Sequence, residues 1–467
     1  MLIGRQVEKA LLGELIASSN AELLALYGRR RVGKTYLIRS FFAEQLAFEL
    51  TGLHDAPMVQ QLDNFVFSLS QTFAKGIAIP RPANWLVAFQ LLIQFLEANP
   101  TTEKQVLFFD ELPWLDTPKS GFMPAFDQFW NGWAVRQTRL IVVICGSAAS
   151  WMIQHVVNNK GGLHNRITRR LRLMPFTLAE TETFLTSQRV LLDRYQLIQL
   201  YMAIGGIPHY LKEIRPGESA TQTIDRLCFT KDGLLQNEFK NLYTALFSHA
   251  DRHVSLVKVL AAKPQGMTRN ELIQNGLVQS GGSATQVLNE LLESGFIAQY
   301  LPFGKTSKDG IYKLTDEYSL FYLKFIEGSR ANGPGIWLNK SMGQSWANWA
   351  GLAFEQICQK RMAQIKQALG IAGIYTEQSA WRFVPGQPDE KGVQIDLLID
   401  QKDQCINLCE LKFSTGEFVI DKAYAETLTR KRMVFQRQTR TRKTIFLTLI
   451  ATFGVKSNAY ATSLIQS

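Results

Sequence analysis

Sulfur and imidazole are scarce in this chain. Its 467 residues include five cysteines and six histidines. Cys145, Cys228, Cys358, Cys405 and Cys409 form no C-x-x-C pair and have no histidine-rich neighbourhood, so no metal-ribbon signal is present. Cys405 and Cys409 fall in an apolar, strand-like run and read as core residues. An odd cysteine count fits a reducing compartment, and a cytoplasmic location is expected. Long hydrophobic runs are also missing. The longest, residues 140–153, contains glycine and serine and is shorter than the roughly 20 residues a membrane helix needs. The opening MLIGRQVEKALLGEL meets charge too early for a secretory signal, so no membrane association is expected. Internal repeats and long low-complexity segments are lacking. Acids are outnumbered, 40 Asp and Glu against 51 Lys and Arg, giving a net charge of +11. Such an excess favours a polyanionic partner, either nucleic acid or an acidic surface.

What is present is ordinary for a globular chain of about three domains: 46% hydrophobic and 19% charged residues. Residues 28–35 read GRRRVGKT and fit the phosphate-loop pattern G-x-x-x-x-G-K-[ST] at every required position. The apolar run 22–27 before it predicts a buried strand. Residues 36–43 after it have helical periodicity. The loop Gly28, Arg29, Arg30, Arg31, Val32, Gly33, Lys34 and Thr35 is therefore expected to bind ATP. Its glycines allow a tight turn whose N–H groups face phosphate. Lys34 would reach the β- and γ-phosphates, and the Thr35 hydroxyl would hold Mg²⁺.

Residues 105–111, QVLFFDE, form an apolar strand ending in two acids. Asp110 is expected at the Mg²⁺, and Glu111 as the group that orients and deprotonates the attacking water. A further buried strand spans 140–145 and leads into Gly146-Ser147-Ala148. Arg166, Arg169, Arg170 and Arg172 cluster before Met174-Pro-Phe176. An arginine here, Arg166 first, is placed to neutralise charge on the γ-phosphate in cis or from a neighbouring subunit. The other readings are a solvated basic face or phosphate contacts to nucleic acid. Residues 178–215 read as helices interrupted by Gly205-Gly-Ile-Pro208, a break that lets backbone approach a flat base.

The string YGRRRVGKT, the DE-terminated strand, GSA, the arginine before Pro-Phe, and GGIPHYL occur in one order. Together they resemble the archaeal-type P-loop ATPase family of the AAA+/STAND branch over roughly residues 1–330. The resemblance implies that Gly206 and Pro208 belong to a lid on the base. It also implies that Ser147 lies near the γ-phosphate and that Ile3-Gly4-Arg5 begins a helix flanking the nucleotide.

Residues 252–325 change rhythm. Helices are expected at 253–262, after an N-capping Thr268, and at 283–292, followed by strands at 296–300 and 310–314. This order is that of a winged helix-turn-helix, the module expected next in that family. The exposed face of its third helix carries no Arg or Lys.

Residues 331–335, ANGPG, read as a linker, and 346–369 as one helix carrying Glu355. Asp396 lies in a strand at 393–399. Glu410 and Lys412 share one face of the strand 405–413, because strand side chains alternate. A helical Glu, then Asp, then Glu-x-Lys resembles the PD-(D/E)xK nuclease core. That resemblance makes Glu355, Asp396 and Glu410 candidate ligands for Mg²⁺ or Mn²⁺, and Lys412 the residue positioning water. The alternatives are a buried ion pair between adjacent strands, or a decayed relic of such a site. Residues 427–444 hold seven basic residues and no acid, suited to phosphate-backbone contact.

The expected architecture is α/β: a P-loop ATPase core with a parallel sheet (1–175), a helical lid (176–250), a winged helix (251–330) and a restriction-endonuclease-like domain (331–467). The expected function is ATP hydrolysis coupled to a nuclease-like domain acting on nucleic acid, DNA before RNA, with a homo-oligomer possible. The alternative is a STAND-like signalling or nucleic-acid-binding switch.

Overall fold

The computed structural model describes residues 2–157, 165–247, 249–275, 282–329, 333–386 and 391–466. Three short, apolar, largely β-branched or leucine-rich runs form the centre of the first sheet: β1 (Glu22–Tyr27), β3 (Gln105–Asp110) and β4 (Leu140–Gly146). With β2 (Leu46–Thr51) and β5 (Arg169–Arg172) they make a parallel sheet of order β2-β3-β4-β1-β5. A parallel sheet is covered on both faces, which explains runs with no polar alternation. Leu24 and Leu26 of β1 pack into one apolar layer, Leu23 and Ala25 into the other. Helices Met58–Phe73, Trp85–Ala98 and Phe122–Gly132 cover the second face with interlocked aromatic rings, among them Phe65, Trp85, Phe89 and Phe126.

Five short helices follow, from Leu178–Ser187 to Glu238–Thr244. Next come helices Ala250–Ala262, Arg269–Gln274 and Gly282–Glu293, with a small antiparallel sheet of order β6 (Met267–Thr268), β8 (Ile311–Leu314), β7 (Ile297–Tyr300). Thr268 caps its helix as expected, in a reciprocal box with Glu271. The third helix is packed against helix Ala149–Met152, and Arg172 donates to its Leu292 carbonyl.

The C-terminal sheet has the order β12 (Thr444–Ala451), β11 (Cys405–Lys412), β10 (Val393–Gln401), β9 (Thr376–Phe383). Only β11 and β12 are parallel, joined by helix Lys422–Thr439. The register of β10 slips between Ile395 and Leu398, at the position of Asp396.

Two expectations need correction. The described part of the proposed linker is tied down: the Asp225 carboxylate accepts the N–H groups of Gly335 and Trp337, and Trp337 is buried. Ala331 and Asn332 lie outside the described residues. The helix expected over 346–369 is two, Gln344–Lys360 and Met362–Ala368, broken at Arg361. One apolar core runs without interruption from Leu24 of β1 through Leu256, Phe321 and Trp349 to Leu411 of β11. Among the described residues no helix is long and apolar enough to cross a membrane.

Candidate nucleotide site and acid cluster

The phosphate loop leaves β1 and enters helix Lys34–Phe41, with Gly33 at its N-cap. Gly33 has φ of +91°, and the space where a Cβ would stand is open. The helix N-terminus and this opening form the cradle an anionic phosphate requires. Lys34 is folded back into the loop, its Nζ donating to the carbonyls of Gly28 (3.0 Å) and Arg29 (3.1 Å). The Thr35 hydroxyl donates to the Asp110 carboxylate at 2.6 Å, joining residues 75 apart in sequence. Hydroxyl and carboxylate are the hard oxygen donors Mg²⁺ takes, so this pair fits that ion.

Glu111 follows Asp110 in a left-handed conformation, φ +48°. Its carboxylate accepts from the Ser147 hydroxyl (2.8 Å) and the Ser147 N–H (3.1 Å). Because β4 lies between β1 and β3, Ser147 holds that carboxylate along the C-terminal edge of the sheet that carries the loop.

The three loop arginines have their side chains engaged by other parts of the chain. Arg29 pairs with Asp316, both about 3% exposed, and its guanidinium lies 4.9 Å from the Phe296 ring centre. Burial works against the Arg29 charge, but Asp316 more than offsets it and holds the guanidinium above its usual value. Arg30 stacks on Trp114, and Arg31 pairs with Glu238 at 2.6 Å. What these residues offer phosphate is backbone. Arg166 lies exposed in the turn before β5.

Arg5 braces the loop from behind. It donates to the carbonyls of Val32 (3.0 Å) and Met174 (2.6 Å) and lies over the Phe176 ring. Gly206 accepts from the Phe176 N–H at 2.7 Å, and a Cβ at Gly206 would stand 2.1 Å from the Phe176 carbonyl oxygen. Close backbone approach alone therefore requires glycine there. Pro208 opens the short helix that follows.

The second group of site residues surrounds the β10 bulge. Burial raises the Glu355 carboxyl to about 7, reinforced by the Asp396 carboxylate and opposed by Lys313 and Lys412. Asp396, Glu410 and Lys412 thus all lie within electrostatic reach of Glu355. The chain does not gather the acids around one point: among the described residues no three His, Cys, Asp or Glu side chains could hold one metal ion. Glu410 is instead paired with Lys431 (2.5 Å) and Lys412 (3.7 Å) and accepts from the Tyr424 hydroxyl (3.1 Å). The donor chemistry suits a divalent ion, but the positions do not present a ready site for one.

Lys431, Tyr424 and Lys313, which act on this group, belong to no motif in the sequence. Lys431 and Tyr424 come from the helix after β11, and Lys313 from β8 in the neighbouring small sheet. The only sequence signal was the basic run containing Lys431. Within that run Lys431 and Lys443 are spent on internal ion pairs, whereas Arg440 and Arg442 are exposed.

Residues 2–214 match the model of an ATPase domain found predominantly in Archaea. An uncharacterized protein of Methanocaldococcus jannaschii is 21% identical over 442 residues, covering 93% of this chain and 92% of that protein. A Walker-type ATPase of Pyrococcus abyssi is similar with a TM-score of 0.48 at 17% identity, over 69% of this chain and 96% of the other. The ORC2 protein of Aeropyrum pernix gives 0.41 at 13% identity, over 78% and 96%.

Proposed function

From the premise of an archaeal-type ATPase domain at residues 2–214, we propose that the chain hydrolyses ATP and uses its nucleotide state to govern a nuclease-like, nucleic-acid-processing C-terminal domain. The observation that carries the ATPase reading is the Thr35–Asp110 hydrogen bond at 2.6 Å. It sets the phosphate loop against the acidic strand end in the arrangement that metal-assisted phosphoryl transfer requires.

ATP and Mg²⁺, when bound, supply the scissile phosphoanhydride and the charge neutralisation. The protein's own groups do the rest. The loop N–H groups and Lys34 bind phosphate oxygens, and Lys34 exchanges the Gly28 and Arg29 carbonyls for them. Glu111, oriented by Ser147, accepts a proton from water. Gly206 and Pro208 form the base-side lid. Arg166, exposed in this chain, is suited to act on a neighbouring copy.

For the C-terminal domain, the helix–strand order around β9–β12 and the placement of Asp396, Glu410 and Lys412 within electrostatic reach of Glu355 support a PD-(D/E)xK-like reading. The order of helices and strands across residues 250–314 supports a winged helix. Its third helix touches helix Ala149–Met152 on one side and leaves Thr285, Gln286 and Asn289 exposed, with no Arg or Lys among them to meet phosphate.

A second reading has its own support. Two lysines already neutralise Glu410, as expected of a nucleotide-controlled binding switch that does not cleave. Plasmid cleavage in Mg²⁺ or Mn²⁺, with and without ATP, separates the two. Cleavage by the wild type that is lost in Lys412→Ala supports the nuclease. Intact ATPase activity with no cleavage under any condition leaves the switch.

A further inference from the structure

Helix Gln344–Lys360 carries Glu355, and its last turn runs into the break at Arg361. Three consecutive residues there reach three different parts of the chain. Gln359 donates to the Asp396 carbonyl at 3.0 Å, on the β10 bulge. Lys360 bonds the Thr315 carbonyl and pairs with Glu317 at 2.6 Å, in the segment that follows β8. Arg361 bonds the Tyr201 hydroxyl and reaches the Phe176 carbonyl at 3.5 Å. Tyr201 itself donates to that Phe176 carbonyl at 2.8 Å, directly beside the Phe176–Gly206 contact of the base-side lid. Asp316, between the two residues that hold Lys360, is the partner of Arg29 in the phosphate loop.

Both ends of the nucleotide site are therefore tied to one helical turn. The phosphate end arrives through Arg29, Asp316 and Lys360, the base end through Phe176, Tyr201 and Arg361. The same turn lies one helical turn beyond Glu355. A second connection runs alongside: Tyr195, at the start of lid helix Arg194–Ile204, stacks on Phe413 at 5.2 Å, one residue past Lys412.

The two guanidiniums in this linkage are incompletely satisfied. Arg29 keeps Nε and Nη2, and Arg361 keeps Nε, buried without a hydrogen-bond acceptor. Buried donors left unpaired are costly, so each side chain gains by any rearrangement that offers an acceptor. Phosphate binding acts on the backbone of the first of these residues, because Lys34 must release the Arg29 carbonyl to reach phosphate. A ligand shifts such an equilibrium only by interacting differently with the two arrangements.

We propose that the turn at residues 359–361 is the joint through which nucleotide occupancy repositions Glu355 and Asp396. This rests on the reading that the loop binds ATP, and names the device by which the C-terminal acids sense it.

The test is hydrogen–deuterium exchange of the full-length chain, with and without a non-hydrolysable ATP analogue, in wild type and in the double variant Lys360→Met, Arg361→Ala. Analogue affinity is measured in parallel by calorimetry. In the wild type, the analogue is expected to change exchange in residues 344–360 and 393–401 severalfold. In the double variant that difference disappears while affinity stays within about threefold. Asp316→Asn, which keeps the shape of the side chain, is expected to reduce the difference by weakening the phosphate-end tie. Analogue binding that leaves the wild-type exchange of 344–360 unchanged overturns the joint and leaves the ATPase reading standing. So does a difference that survives in the double variant. Failure of the wild type to bind the analogue overturns both.

Discussion

The Ser147 hydroxyl and the Ser147 backbone N–H both donate to one oxygen of Glu111, at 2.8 and 3.1 Å. Only the first of these bonds is removable by substitution. A hydrogen bond to a charged group contributes roughly 1.5–3 kcal/mol. Ser147→Ala is therefore expected to lower kcat for ATP about tenfold or more without changing nucleotide affinity, because Ser147 acts through Glu111. Glu111→Gln, which removes the proposed base, is expected to lower kcat by about 10²- to 10⁴-fold. Steady-state phosphate release with parallel calorimetry checks both; a Ser147→Ala effect confined to KM contradicts the assignment.

Thr35 and Asp110 touch directly. If that pair is where Mg²⁺ enters, Thr35→Ala weakens nucleotide binding in Mg²⁺ and leaves binding in chelator unaltered. Titration with a fluorescent ATP analogue in the two buffers reads the difference. Equal weakening in both would assign Thr35 to the loop's fold alone.

The Glu355 carboxyl is raised from an ordinary 4.5 to about 7, first by burial and then by Asp396. The folded chain consequently holds a proton between those values that the unfolded chain has released. Stability from this group is full below pH 4.5 and declines as pH rises through 7, by at most about 3 kcal/mol. In chelator, Glu355→Gln is expected to match the wild-type melting temperature near pH 4.5 and exceed it above pH 7. Parallel melting curves for the two proteins would refute this.

Arg440 and Arg442 are exposed beyond the helix Lys422–Thr439. If they bind nucleic-acid phosphates, replacing both with alanine lowers the slope of log affinity against log salt by about 0.9 for each phosphate no longer neutralised. Fluorescence anisotropy over a salt series measures the slope; an unchanged slope removes these residues from the interface.

Much of the nucleotide site was legible because its pattern is local. The run 22–27, the loop and the acid-ended strand at 105–111 carry their signal within a few residues, and β1 begins and ends where the apolar run does. The variable loop positions carried no such signal. Nothing in GRRRVGKT tells that Arg29 turns to Asp316, 287 residues away, or Arg31 to Glu238. Lys431 escaped for a related reason: it meets Glu410 across 21 residues and a helix, with no motif spacing between them. The resemblance places Gly206 in a lid on the base, and what a side chain there would meet first, the Phe176 carbonyl, lies far from it in sequence. The segment 331–335 has the composition of a linker. Its described end, Gly335, is anchored from outside the segment, by Asp225, which no local reading of ANGPG can reveal.

The uninterrupted apolar core from Leu24 to Leu411 has a calorimetric consequence. Layers that share one interior cannot melt independently without exposing each other's buried face, so the chain should give a single cooperative endotherm. Any ligand of the amino-terminal sheet then raises the melting temperature of the carboxy-terminal sheet by mass action, although it touches none of its residues.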